Sequence, residues 1–202
     1  MPGFRLITDG LKNGFLAIIE PIAKLLVGLK VPPLSITIAG LLVSIFSAYL
    51  FHKGLFFSAG IMVILAGICD VLDGKLARET NQMSKYGALM DSTIDRYSEV
   101  FMFLGIASFF REKYIVLLII LAVAGSFMVS YIRARAEGLG IECKIGLMQR
   151  PERMTFLAVG SILGSIPHTK NFFLILALWG IAILANFTAI QRIVYLKKKL
   201  NN

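Results

Sequence analysis

Long apolar blocks recur along this chain, separated by short polar breaks. A helix needs about 20 residues to cross a bilayer. Six blocks approach that length: 33–52, 55–74, 90–110, 114–134, 152–168 and 171–194. The second and third are weaker in hydropathy because they carry aspartates. The breaks at Lys53-Gly54 and at Arg111-Glu112-Lys113 are short enough for antiparallel neighbours. The longest polar stretch is 136–151. Ahead of the first block, residues 4–28 mix charges with apolar residues and are interrupted by Pro21. That pattern fits a helix lying in the membrane interface, with a short leading span as the alternative. Lys30-Val31-Pro32-Pro33 then ends it, since proline starts helices but breaks their interiors. The pattern therefore predicts an all-α integral membrane protein forming one domain over 1–202. Six transmembrane helices fill 33–194, and an N-terminal interfacial amphipathic helix fills 1–30.

Composition agrees. The 202 residues are 57% hydrophobic with a mean hydropathy of +0.77, which excludes an ordinary soluble domain. The net charge of +9 adds direction. With both termini in the cytoplasm, only Lys53, Arg111, Lys113 and Lys170 face the other side, leaving 17 of the 21 Lys and Arg inside. That bias sets the orientation. It predicts a plasma-membrane protein with its termini, and the aspartates, at the cytoplasmic face. The basic residues are dispersed around spans, which suits anionic membrane lipid and argues against nucleic acid. Cys69 and Cys143 lie on or near the cytoplasmic side, where no disulfide is expected.

The chemistry sits where the hydropathy dips. Asp70, Asp73, Gly74 and Ala77 are spaced i, i+3, i+4, i+7, one stripe of a helix. Gly87, Asp91 and Asp95 are spaced i, i+4, i+8, a second stripe. An acidic side chain at membrane depth costs about 2.5–3.5 kcal/mol on insertion scales. One carboxylate paired with an arginine could be helix glue. Four, with small residues between them, need a cation. Oxygen-only ligands suit Mg²⁺ or Mn²⁺, and such ions complete their shells with phosphate oxygens. The small residues leave room for a group to approach the backbone, and Arg78 can hold its charge.

The segment reads D-x2-D-G-x2-A-R-x8-G-x3-D-x3-D, with every fixed position in place. In this it resembles the CDP-alcohol phosphotransferases, whose architecture is an interfacial helix followed by six spans. The resemblance implies that Asp70, Asp73 and Asp91 ligate metal. Asp95 would be the general base and would also reach a metal. Asp70, Gly74, Ala77, Arg78 and Gly87 would form the nucleotide pocket. Members often open the first span with P-N-x-[VIL]-T. Here Pro33 and Thr37 remain as nucleotide-binding candidates, and Leu34 replaces the asparagine. The implied reaction takes a proton from an alcohol, attacks a CDP-linked lipid (CDP-diacylglycerol or CDP-archaeol) and releases CMP. The resemblance also implies a homodimer.

A second region narrows the alcohol. Arg133, Arg135, Arg150 and Arg153 gather around 130–154, and Arg192 lies near the end of the last block. Positive-inside topology explains any one of them. Several at one mouth suit an anion, because Arg grips phosphate bidentately. Y-I-R-A-R-A-E with the later R-P-E-R resembles one branch of the family, the phosphatidylinositol phosphate synthases and their archaeal counterparts. There three basic residues hold the phosphate of inositol phosphate. The matching positions are Arg133, Arg153 and Arg192. The alternatives are phosphatidylglycerophosphate synthase, with a glycerol phosphate acceptor, an intramembrane prenyltransferase, and a divalent-cation transporter. Clustering of the carboxylates at one face weighs against a conduit.

Overall fold

The computed structural model describes residues 9–169 and 171–201. Residues 1–8 of the expected interfacial helix, Lys170 and Asn202 lie outside them. The described residues form seven helices: α1 (Asp9–Gly28), α2 (Pro33–His52), α3 (Phe56–Glu79), α4 (Lys85–Phe109), α5 (Lys113–Glu137), α6 (Arg150–Gly164) and α7 (Phe172–Leu200). No strand occurs among them. α2, α3, α5 and α7 are long and apolar enough to cross a membrane, which makes the chain a membrane protein by length and composition. α4 carries polar residues over its first half, and α6 has only 15 residues, so neither reaches that measure. α1 continues through Pro21, which forgoes one backbone hydrogen bond without ending the helix.

Four helix ends share one local solution. Lys30, Gly54, Asn81 and Gly140 all adopt positive φ, and each closes a Schellman motif after its helix. At the end of α2, for example, Leu55 N–H donates to Leu50 O at 3.0 Å and Gly54 N–H to Phe51 O at 2.9 Å.

α1–α4 form one compact unit and α5–α7 another. In the first, α2 is the shared wall: α3 and α4 each pack against it, and α1 packs on α3. Small residues make this possible. Thr37, Gly40, Ser44 and Ser47 are all buried on α2 at helical spacing. A Cβ on Gly40 would come within 3.1 Å of Cys69 Cβ, and one on Gly105 within 2.3 Å of Ala48 O. Ser47 donates across to Ala59 O at 3.1 Å. Close approach through small residues is how helices associate where lipid removes the hydrophobic drive. α1 rests on α3 through Ile19, Ala23 and Leu72.

In the second unit, α7 packs against both α5 and α6. Asn186 on α7 donates to Leu121 O at 3.0 Å, in a crossing that leaves no room for a side chain at Gly125. Gly160 plays the same part between α6 and Ala177 of α7.

Candidate functional site

A tight reversal brings the acidic stripes together. α3 stops when Gln82 N–H reaches Ala77 O at 2.9 Å, with Asn81 at φ 56°. α4 begins under a cap: the Ser84 hydroxyl accepts from Gly87 N–H at 2.9 Å. The chain thereby turns back within a few residues. Asp70 then meets Asp91 and Asp95, each offering an oxygen within 4.8 Å of the others. All three are half-buried. The two helices do not pack closely on each other along their lengths; both lean on α2. The carboxylates therefore meet across a gap, not across a helix contact.

Asp73 stands outside that triplet. It is 4% exposed and sits beside the Thr37 hydroxyl, close enough to Asp70 and Asp91 to feel their charge. Its Oδ2 is buried with no hydrogen-bond partner. A buried carboxylate oxygen without a donor is costly, and like charges around it raise the cost. A hard divalent cation relieves both, and the donor set is oxygen only. The residues present fit such an ion.

The residues expected to form the nucleotide pocket are spread over α2, α3 and α4. Thr37 is buried, and its hydroxyl donates to Pro33 O at 3.3 Å, so it braces the start of α2 and the back of Asp73. Arg78 is exposed and lays its guanidinium over Gly74: a Cβ there would meet Nη1 at 3.5 Å and nothing closer. Protein packing alone therefore does not demand glycine at 74. Ala77 is half-buried on the same stripe. At Gly87 a Cβ would come within 3.0 Å of the capping Ser84 Oγ.

The arginines form a second group, in the α5–α7 unit. Arg133 and Arg153 are near enough to act electrostatically on Arg192, with Glu137 as the opposing charge. Their environments differ. Arg133 is 43% exposed and paired with Glu137 at 3.0 Å. Arg153 and Arg192 are each 1% exposed. Arg192 donates to Ile145 O at 2.8 Å and also to Val129 O. Arg153 donates to Met148 O at 3.4 Å. Two of the three guanidinium groups, those of Arg153 and Arg192, are fixed by backbone carbonyls.

Several residues here were not singled out by the sequence reading. Glu99 is buried one turn beyond Asp95 and continues the 87, 91, 95 register, a signal that was available. Ser84 had the usual capping signature before a helix. Glu152 is buried in the first turn of α6, with Oε2 lacking a hydrogen bond. Thr188 is fully buried and offers no sequence signal beyond its place one turn before Arg192.

Comparison with known proteins adds independent findings. A family model described as CDP-alcohol phosphatidyltransferase matches residues 29–195. The chain is 36% identical over 183 residues to a protein of Methanothermobacter thermautotrophicus named archaetidylinositol phosphate synthase, covering 90% of each. It is 32% identical over 188 residues to the phosphatidylinositol phosphate synthase of Mycobacterium tuberculosis, covering 90% of this chain and 87% of that one. A crystal structure of the M. tuberculosis enzyme with CDP-DAG bound is similar with a TM-score of 0.79 at 31% identity, covering 88% of this chain and 92% of that one. A structure of that enzyme with manganese and citrate gives 0.78 at 31% identity, covering 86% of each chain.

Proposed function

The chain belongs to the CDP-alcohol phosphatidyltransferase family, and from that premise we propose that it joins inositol phosphate to a CDP-activated lipid and releases CMP. The observation that carries this reading is the meeting of Asp70, Asp91 and Asp95 inside the intact D-x2-D-G-x2-A-R-x8-G-x3-D-x3-D pattern. Relatives named for inositol phosphate at 32–36% identity support the acceptor, as does the arginine group of the second unit.

Each residue has a role in this proposal. Asp70, Asp73 and Asp91 would hold a divalent ion, Mg²⁺ or Mn²⁺, with Asp95 reaching it as well. The ion, when bound, supplies charge neutralisation for the diphosphate and its leaving group. Asp95 takes the proton from the acceptor hydroxyl, so that the oxygen can attack the lipid-side phosphorus. The P–O bond to CMP breaks, and CMP leaves with the electron pair. Gly74, Ala77 and Gly87 keep side chains away from the nucleotide, and Arg78 balances its phosphates. Pro33 and Thr37 close the pocket at the head of α2. Arg133, Arg153 and Arg192 hold the acceptor phosphate. Positioning and electrostatics supply most of the rate.

The proposal also takes α4 and α6 as the third and fifth of six spans, α1 as an interfacial helix, and the whole chain as one functional domain in the plasma membrane with the carboxylates at the cytoplasmic face. Ile22 and Leu25 of α1, and Leu29 just after it, support this by being exposed. A homodimer belongs to the same reading.

The test is CMP release by purified protein with CDP-diacylglycerol or CDP-archaeol and a panel of acceptors. Release with inositol phosphate, and not with free inositol, glycerol phosphate or serine, is the expected result. Release with glycerol phosphate alone would overturn the acceptor.

A further inference from the structure

Residues 145–148 lie against α6 and α7 and carry the arginines' backbone partners. Arg192 grips Ile145 O, and Arg153 grips Met148 O. A third contact comes from a residue with no charge. The Met148 N–H donates to Thr188 Oγ1 at 3.0 Å, and Thr188 is 0% exposed. Thr188 and Arg192 are i and i+4 on α7, so they present to the same segment from one face. Between them runs Gly146, at φ 129°, where a Cβ would come within 2.2 Å of Thr188 Cγ2. The backbone therefore lies directly on the Thr188 side chain, held by its hydroxyl and spaced by its methyl.

We propose that Thr188 is a positioning residue for the acceptor-phosphate site: it fixes the 145–148 segment, and through it the guanidinium groups of Arg153 and Arg192. The inference rests on the reading that these arginines bind a phosphorylated acceptor. An arginine fork is directional, so a guanidinium whose backbone partner shifts by a fraction of an ångström presents its remaining N–H groups at the wrong angle. Without the hydroxyl, Met148 N–H is a buried donor lacking a partner, and the segment must move to find one.

The experiment uses the full-length protein in detergent or liposomes. Thr188→Val keeps shape and volume but removes the acceptor oxygen; Thr188→Ser keeps the oxygen. Thr188→Val is expected to raise the half-saturating inositol phosphate concentration about tenfold, the scale of one buried hydrogen bond. Turnover at saturation and half-saturation by CDP-lipid stay at wild-type values, and Thr188→Ser, which loses the methyl but keeps the hydroxyl, retains acceptor half-saturation much closer to wild type than Thr188→Val does. Unchanged acceptor saturation in Thr188→Val, or a parallel loss in all three constants, would overturn the proposal. A second measurement needs no variant. In the wild type, inositol phosphate should slow amide hydrogen exchange at 145–148, and unaltered exchange there would count equally against it. If the wild type transfers only to glycerol phosphate, the acceptor reading falls, and the same three constants measured with glycerol phosphate decide the role of Thr188.

Discussion

The Glu20 carboxylate of α1 is ion-paired with the Lys75 ammonium of α3, two positions beyond Asp73. Lys24 flanks Glu20 at 3.4 Å, and Glu79 flanks Lys75 at 3.7 Å, so four charges alternate across the two helices. On α3, Lys75 shares its face with Leu72, against which α1 packs, and that face is opposite the Asp70–Asp73 stripe. α1 is thus a splint on the back of the acidic helix. Hydrogen bonding from Lys75, then from Lys24, and their charges hold the Glu20 carboxyl below its ordinary 4.5 despite some desolvation. A carboxylate depressed in the folded state contributes stability above its unfolded value, and that contribution fades as pH falls through the folded value. Docking of α1 should therefore weaken only below pH 4.5. Limited proteolysis within 20–30 should accelerate there in the wild type. In Glu20→Gln, where Ile19 and Ala23 still pack on Leu72, it should be modestly faster at neutral pH and insensitive to acid.

Gly74→Ala separates fold from function. The new methyl meets only the Arg78 guanidinium, at ordinary contact distance. Inside α3, alanine is the better helix former by about 1 kcal/mol. The variant should be as thermally stable as wild type, or more so. In the proposed pocket the methyl occupies space kept for the nucleotide, so the half-saturating CDP-lipid concentration should nevertheless rise at least severalfold. A melting curve and a CDP-lipid titration on one preparation check both halves. Loss of stability, or unaltered saturation, would remove the nucleotide from this spot.

The two acidic stripes were legible because helical spacing turns sequence offsets into faces, and Asp70, Asp91 and Asp95 do converge. The role of α2 was not legible. Gly40, Ser44 and Ser47 hide among apolar neighbours, and hydropathy cannot tell a lipid-facing residue from one under a crossing helix. Helix limits followed the same logic. Pro33 and Gly54 mark both ends of α2, whereas α3 runs on to Glu79 and ends at Asn81, a residue that merely tolerates left-handed backbone. Burial of Arg153 and Arg192 was invisible too, because charge bias records a side of the membrane and not a depth.

Asp95 and the remaining carboxylates should separate by metal titration. In the proposed mechanism, Asp70→Asn and Asp91→Asn weaken ion binding and leave the base in place. Their CMP release should recover in part as Mn²⁺ is raised. Asp95→Asn removes the proton acceptor, worth about 10²–10⁴-fold in rate. Its CMP release should stay low at any Mn²⁺ concentration. Full recovery of Asp95→Asn by metal would make it a ligand only.

Arg133 is matched by a motif and Arg192 only by its place in the last span, and the structure gives them opposite costs of removal. Arg192 is 1% exposed and satisfies Val129 O and Ile145 O. Arg192→Ala strips Ile145 O of its donor, at about 1–3 kcal/mol for a buried group left unpaired, while Val129 O, inside α5, keeps its helical partner. Arg133 is 43% exposed, and its partner Glu137 can turn to water. An exposed i, i+4 pair of this kind contributes about 0.3–0.5 kcal/mol. Arg192→Ala should therefore lower the melting temperature by several degrees along with activity. Arg133→Ala should melt like the wild type and lose only acceptor affinity. Differential scanning fluorimetry beside an inositol phosphate titration distinguishes them. Equal melting temperatures for the two variants would mean that Arg192 is not held by the carbonyls it touches, and that its guanidinium is as available to an anion as that of Arg133.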